Sequence, residues 1–165
     1  MYFWTHHFDV TQLPEYNSNY ATFTRLGLAG SLHTEITTES NGIIPVGQGF
    51  VVENSTMEEE QSQTKWDVFF NNSMRTKDSG VFFKNENEET DQHRYWLSLS
   101  NDSEVKLAQI LVGYTNEATY GIDHQIDGRR LGTAPLFSWI DSLDFTVQGR
   151  PMPFEIEDIV PLGFI

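Results

Sequence analysis

An all-β fold is what this sequence predicts: an antiparallel β-sandwich of the jelly-roll or immunoglobulin type, with little helix. Short apolar runs recur along the 165 residues. Within several runs apolar and polar side chains alternate, which is the period of a strand with one buried face. Gly, Asn and Pro lie between the runs and supply turns, and short strands at this spacing are typical of sandwiches.

The candidate strands follow in chain order, because each is an apolar run bounded by turn residues. Pro45 excludes a helix before the corner Gly47-Gln48-Gly49, and glycine permits backbone angles that other residues avoid. A strand therefore follows that corner. The runs assigned as strands are residues 2–6, 20–26, 49–53, 66–71, 81–84, 94–100, 105–114 and 143–148.

The clearest hairpin joins residues 94–100 to residues 105–114 through the turn residues Asn101-Asp102-Ser103. The apolar positions of the second strand change parity near Ala108 and Gln109. Such a change accompanies either a bulge or a strand covered on both faces. The sequence leaves these two alternatives open.

The apolar face of each strand is predicted to form the core. Only residues 117–120 and 137–142 favour a helix, and both stretches are too short to organise a domain. The acid-rich stretches 53–64 and 85–92 contain too little apolar surface to offset the entropy of ordering them, so they are predicted to be mobile loops. The predicted core residues are Trp66, Val68, Phe70, Leu97, Leu99, Phe145 and Val147.

Length and composition limit the class of protein. A chain of 165 residues suits one domain over residues 1–165. Its 24 acidic and 10 basic side chains give a net charge of −14, which disfavours nucleic acid and anionic membrane surfaces as partners. No run approaches the roughly 20 apolar residues of a membrane helix, so no membrane insertion is expected. There is no cysteine, which excludes disulfides and thiolate metal sites.

Both ends of the chain are strand-like, Tyr2-Phe3-Trp4 at one end and residues 160–165 at the other. Neither end has a polar tail. This pattern predicts that the chain is a piece excised from a longer protein. Other domains of that parent protein are then its expected partners.

Several motifs along the chain together resemble a known family. They are, in order, Tyr2-Phe3-Trp4-Thr5-His6, Gly47-Gln48-Gly49-Phe50-Val51-Val52, Phe70-Asn71-Asn72-Ser73-Met74-Arg75, Tyr95-Trp96-Leu97-Ser98-Leu99, Gln109-Ile110-Leu111-Val112-Gly113-Tyr114, Gln148-Gly149-Arg150-Pro151-Met152-Pro153-Phe154 and Val160-Pro161-Leu162-Gly163. The chain resembles the β-rich region upstream of the C-terminal sorting segment in surface and secreted proteins of Bacteroidetes that type IX secretion exports. The resemblance implies an extracellular or cell-surface location and a non-enzymatic accessory role.

The segment 116–128 concentrates oxygen donors and glycines and is the candidate metal site. Calcium binds several carboxylate, amide and carbonyl oxygens on a flexible loop, and the spacing here is not that of an EF-hand. The alternative is that the aspartates cap turns or pair with Arg129, Arg130 or Arg150. Calcium is the one cofactor considered. Its candidate ligands are Asn116, Glu117, Asp123 and Asp127.

Trp96 and Arg94 are the candidate ligand-binding residues. Trp96 lies on the strand face opposite Tyr95, Leu97 and Leu99, among polar neighbours. A flat indole beside hydrogen-bonding groups can stack on a sugar ring. Packing under a second sheet is the alternative.

A catalytic constellation is not evident in the sequence. His6 and His7 are adjacent in a predicted strand and therefore point to opposite faces. No serine stands in a nucleophile motif beside a histidine. We therefore expect no enzymatic activity. The expected function is a structural or adhesion module of a surface protein, and the alternative is a carbohydrate-binding module, with glycans as ligands and calcium as a stabilising ion.

Overall fold

The computed structural model describes residues 1–4, 20–30, 43–53, 67–77, 93–103 and 106–165. Over these residues the chain forms ten strands in two sheets. The smaller sheet contains β1 (Tyr2–Trp4), β2 (Tyr20–Thr24), β3 (Gly27–Ala29) and β4 (Phe50–Val51). The larger sheet contains β5 (Arg94–Ser100), β6 (Lys106–Thr115), β7 (Gly128–Arg129), β8 (Leu136–Ile140), β9 (Leu143–Pro151) and β10 (Leu162–Phe164).

The strand order confirms the predicted all-β, sandwich-like fold. The smaller sheet has the order β3-β2-β1-β4, and its pairs are antiparallel. The larger sheet has the order β10-β8-β9-β6-β5, with β7 added alongside β9. Its pairs are antiparallel except for β6 and β9, which run parallel. The larger sheet is therefore mixed.

The core lies between the sheets. Ala29 of β3 packs against Leu111 of β6 and Val147 of β9, with Leu26 and Trp96 at the margin. A separate cluster of Phe3, Ala21 and Leu28 lies on the other face of the smaller sheet, because strand neighbours alternate between faces. The smaller sheet is therefore apolar on both faces.

The hairpin of β5 and β6 is confirmed, and both alternatives for the parity change in β6 apply. Leu99 pairs with Ala108 while Ser100 pairs with Lys106, so Leu107 is the extra residue of a bulge. From Ala108 to Val112 every residue is buried. The strand is thus bulged at its start and covered on both faces beyond it.

Part of the predicted core is confirmed and part is wrong. Phe145 and Val147 are fully buried, whereas Leu97 and Leu99 are half-buried. The prediction for Val68 and Phe70 is wrong, because both side chains are exposed, Phe70 by 68%. Trp66 lies outside the described residues.

The exposure of Phe70 has a physical reason. Within the described part of the predicted strand 66–71, no residue pairs with a neighbouring strand. The chain turns instead into a 3-10 helix at Asn72–Met74, where the Asn71 side chain accepts a hydrogen bond from the Ser73 N–H at 3.0 Å. Alternating apolar residues bury one face only when a sheet supplies the opposing layer.

The predicted helical stretch at 137–142 is also wrong. It forms most of β8 and the turn into β9, because β8 finds partners in both β9 and β10. The stretch 117–120 is irregular chain that follows a turn at residues 116–117, and it is not a helix. The predicted strand 81–84, the predicted loop 85–92 and nearly all of the predicted loop 53–64 lie outside the described residues. In the part that is described, no helix has the length and apolarity of a membrane span.

Candidate functional site

Asp127 ties the candidate metal loop to β9. One carboxylate oxygen accepts a hydrogen bond from the Gly149 N–H at 2.6 Å, and the other accepts one from the Asp123 N–H at 2.6 Å. The Asp123 carboxylate accepts hydrogen bonds from the backbone N–H and hydroxyl of Thr119. The two aspartates therefore cap turns, which is one of the roles that the sequence left open to them.

Asn116 and Glu117 have different surroundings. Glu117 forms an exposed ion pair with Arg25, with nitrogen and oxygen 2.7 Å apart. Asn116 is exposed beside a cavity that Arg94 also lines. Among the described residues, no group of three or more histidines or carboxylates is arranged to hold a metal ion.

The environment of Asp127 changes its acidity. Burial raises the pKa of this carboxyl from 3.8 to about 6. The N–H groups of Asp123 and Gly149 act in the opposite direction, because they stabilise the charged form. Asp127 therefore titrates in the mildly acidic range.

Trp96 and Arg94 connect the two sheets. The Trp96 indole N–H donates to the Leu28 carbonyl at 3.0 Å, and the ring packs against the core between the sheets. Arg94 donates to the Leu26 carbonyl at 2.9 Å and lies over the indole, 5.1 Å from the ring centre. In this arrangement Trp96 packs under a second sheet, which is the alternative to stacking on a sugar ring.

A cleft opens elsewhere, where one end of the smaller sheet meets the larger sheet. It consists of two cavities, of about 460 and 220 Å³, that share Tyr2, Glu53 and Arg129 as lining residues. The larger cavity extends to the turn between β8 and β9. The smaller one extends along residues 122–128.

The centre of the cleft is polar. The Tyr2 hydroxyl lies 2.5 Å from a Glu53 carboxylate oxygen and 3.2 Å from the Arg129 carbonyl oxygen. Burial, followed by the hydrogen bond to Glu53, raises the pKa of the Tyr2 phenol well above its ordinary value. The hydroxyl therefore stays protonated as a donor. The Arg129 guanidinium is 3.8 Å from Glu53, a loose and partly exposed pair.

An aromatic side chain, Trp139, lies next to the larger cavity without lining it. Arg130 and Asp144 line the cavity and form an ion pair at 2.5 Å. The Trp139 indole N–H donates to Asp144 at 2.9 Å, and 44% of the Trp139 surface is exposed. Phe137 packs beneath, with its ring centre 4.2 Å from the Arg130 guanidinium and 5.7 Å from the Trp139 ring.

The turn between β8 and β9 has unusual backbone geometry. Ile140 pairs with Leu143, so Asp141 and Ser142 are the two central residues of the turn. Both have positive φ, 49° and 66°. Two-residue hairpin turns of this kind favour Asn-Gly or Asp-Gly, because glycine tolerates positive φ. Ser142, which also lines the larger cavity, stands where glycine is preferred.

Comparison with known proteins identifies the family. A model for a domain of unknown function, DUF8693, matches residues 1–165. The chain belongs to the DUF8693 family. No curated protein and no solved structure matches this DUF8693 domain. Its export by type IX secretion, its surface location and its bacterial group stay predictions.

Sequence reasoning missed most of the cleft in the DUF8693 domain. Ser142, which lines the larger cavity, and Trp139, which lies beside it, belong to the stretch 137–142. That stretch favours a helix by sequence, whereas the two residues lie in a tight turn and on a strand. The signal that could have found them is the alternation of Phe137 and Trp139 followed by two small polar residues. Arg130 and Asp144 come together because β7 pairs with β9, so that the Arg130 N–H donates to the Asp144 carbonyl at 2.9 Å.

Proposed function

We propose that this DUF8693 domain is a non-catalytic structural or adhesion module of a secreted or cell-surface protein. The observation that carries this proposal is the role of the polar side chains that the sequence had offered for chemistry. Asp123 and Asp127 fix turns, and Trp96 and Arg94 join the sheets. A fold whose polar side chains stabilise its own turns and the contact between its sheets is suited to a rigid structural module.

A turnover assay tests the absence of catalysis. Purified domain is incubated with polysaccharides, peptides and esters, and products are followed over time. We expect no turnover. Turnover that disappears when one carboxylate of the cleft is replaced, as in Glu53→Gln, would overturn the proposal.

The resemblance to regions that precede a type IX sorting segment supports the extracellular setting. Its test uses the parent protein in its own cells, with antibodies against the domain. Protease added to intact cells should remove the antibody signal if the domain is outside. A signal that persists until the cells are lysed would contradict the surface location.

Carbohydrate binding is the second candidate function, and one observation favours it. Trp139 is an exposed aromatic residue whose indole N–H donates to Asp144, and Asp144 lines a cleft with several polar groups. Trp96 is engaged in sheet packing. The proposal for sugar stacking therefore moves from Trp96 to Trp139.

A further inference from the structure

We propose that the cleft formed by Tyr2, Glu53, Arg129 and Ser142 is a binding site for a neutral saccharide. This inference rests on the proposed function and deepens it, because it gives the non-catalytic module a ligand class. The proposed site lies elsewhere in the fold than the sequence-based candidates Trp96 and Arg94, and it consists of other residues. Four features in and beside the cleft support it.

The size of the cleft is the first feature. Sites for small ligands have volumes of roughly 300 to 1,000 Å³. The larger cavity of about 460 Å³ falls in that range, and the adjoining cavity adds about 220 Å³. The two cavities adjoin, because they share Tyr2, Glu53 and Arg129 as lining residues, so a ligand of linked rings suits them better than a compact one does.

The charge of the lining is the second feature. Arg129 and Arg130 contribute positive charges to the larger cavity, while Glu53 and Asp144 contribute negative ones. The two carboxylates and the net charge of −14 of the protein repel a free anion. The two guanidiniums repel a cation. A sugar hydroxyl both donates and accepts hydrogen bonds, so neighbouring hydroxyls can use both kinds of group at once.

The aromatic residue beside the larger cavity is the third feature. The exposed indole of Trp139 is held by its hydrogen bond to Asp144 and by Phe137. An indole fixed beside polar groups offers an apolar surface to the C–H face of a sugar ring. Holding the ring before binding lowers the entropic cost of using it.

The strained turn is the fourth feature. Ser142 has φ of 66° at a position that favours glycine, and it lines the cleft. Non-glycine residues in this region of backbone space cost free energy, and such residues concentrate at functional sites. A serine here provides the cleft with a hydroxyl that glycine lacks.

The first experiment compares two arginines. Binding of the domain to laminarin, xylan and mannan is measured by affinity electrophoresis and calorimetry, with heparin as the anionic probe. We expect saturable binding to at least one neutral polysaccharide, weakened about tenfold or more in Arg129→Gln through loss of charged hydrogen bonds. Arg25→Gln is the matched control, because Arg25 is also partly exposed and paired with a glutamate but lies outside the cleft. It should bind within about twofold of the unmodified domain.

The second experiment separates binding from folding. Ser142→Gly should raise the melting temperature by roughly 2 to 4 °C by relieving the backbone, yet weaken binding by about three- to tenfold because a hydroxyl is lost. Asp141→Gly is the control, since Asp141 shares the turn but does not line the larger cavity. Its binding should be unchanged. A variant that is more stable but binds less tightly cannot be explained by unfolding.

Each outcome decides a separate point. Failure of all three neutral polysaccharides to bind overturns the site and leaves the structural module standing. Binding to heparin alone overturns the ligand class, and equal losses in Arg25→Gln and Arg129→Gln overturn the location. Hydrolysis of a bound polysaccharide would leave the site in place and overturn the non-catalytic function instead.

Discussion

Arg150 holds Asp158 in a buried ion pair with two points of contact. The Arg150 Nε donates to one Asp158 oxygen at 3.0 Å, and a terminal nitrogen contacts the other oxygen. The same guanidinium donates to the Ile159 carbonyl at 2.9 Å, and the Tyr114 hydroxyl donates to Asp158 at 2.9 Å. These bonds fasten the segment after β9 onto β6 and β9.

Asp158→Ala should destabilise the domain by about 3 to 5 kcal/mol, because it leaves the Arg150 charge buried without its partner. The side chains of Arg150 and Asp158 are only 8% and 5% exposed. Urea unfolding followed by circular dichroism measures the change. Glu117→Ala is the matched control, since it breaks an ion pair whose side chains are 59% and 57% exposed, and it should cost less than about 1 kcal/mol. Similar losses in both variants would contradict the special role of the buried pair.

Asp127 should make stability fall as the pH rises from about 4 to about 6. Its pKa is raised from 3.8 to about 6 in the folded domain, so the folded state binds more protons than the unfolded state in this window. The stabilisation is complete below the unfolded pKa and is lost as the pH passes the folded pKa. The measurement is the free energy of unfolding of the unmodified domain minus that of Asp127→Asn, at intervals from pH 4 to pH 7.

The difference in the free energy of unfolding between the unmodified domain and Asp127→Asn should be largest near pH 4 and should decline towards pH 7. The side chain introduced by Asp127→Asn is isosteric but does not titrate, so the variant lacks this one source of pH dependence and keeps the others. A difference that grows with pH would show that the N–H groups of Asp123 and Gly149 dominate and that the carboxylate prefers its charged form.

The metal alternative for residues 116–128 can be tested directly. Because Asp123 and Asp127 already accept hydrogen bonds from backbone N–H groups, we expect the melting temperature to be the same with chelator and with millimolar calcium. Asp127→Asn should be destabilised by about 1 to 3 kcal/mol at pH 4, since its amide cannot accept both bonds. A melting temperature that rises with calcium concentration would restore the metal site.

Local features of the sequence determine how much of this fold could be predicted. The β5–β6 hairpin is contiguous, alternating and joined by Asn101-Asp102-Ser103, so short-range rules place it. Alternation places Phe145 and Val147 on one face of β9, and both are buried, but every residue from Phe145 to Arg150 is buried because β9 is covered on both faces. By contrast, β8 is five residues long, and so short a run fits a helical turn or a strand until neighbouring strands pair with it.

The cleft could not be predicted for a different reason. Its shared residues are Tyr2, Glu53 and Arg129, and no local spacing links positions so far apart. The pairing of β1 with β4 and the packing of the two sheets bring them together. The hydrogen bond from the Gly149 N–H to Asp127 could not be predicted for the same reason, because it depends on the pairing of β9 with β7.

Phe145→Ala should cost about 3 to 5 kcal/mol of stability, because Phe145 is 1% exposed and its removal leaves a cavity between the sheets. Phe70→Ala is the same substitution at a side chain that alternation alone placed in the core but that is exposed in the structure. It should cost less than about 1 kcal/mol. Urea unfolding of the two variants beside the unmodified domain provides the comparison.

A large loss of stability in Phe70→Ala would mean that the Phe70 ring, which lies 6.2 Å from the ring of Phe50, belongs to the apolar cluster on the outer face of the smaller sheet. A small loss in Phe145→Ala would contradict the position of the core.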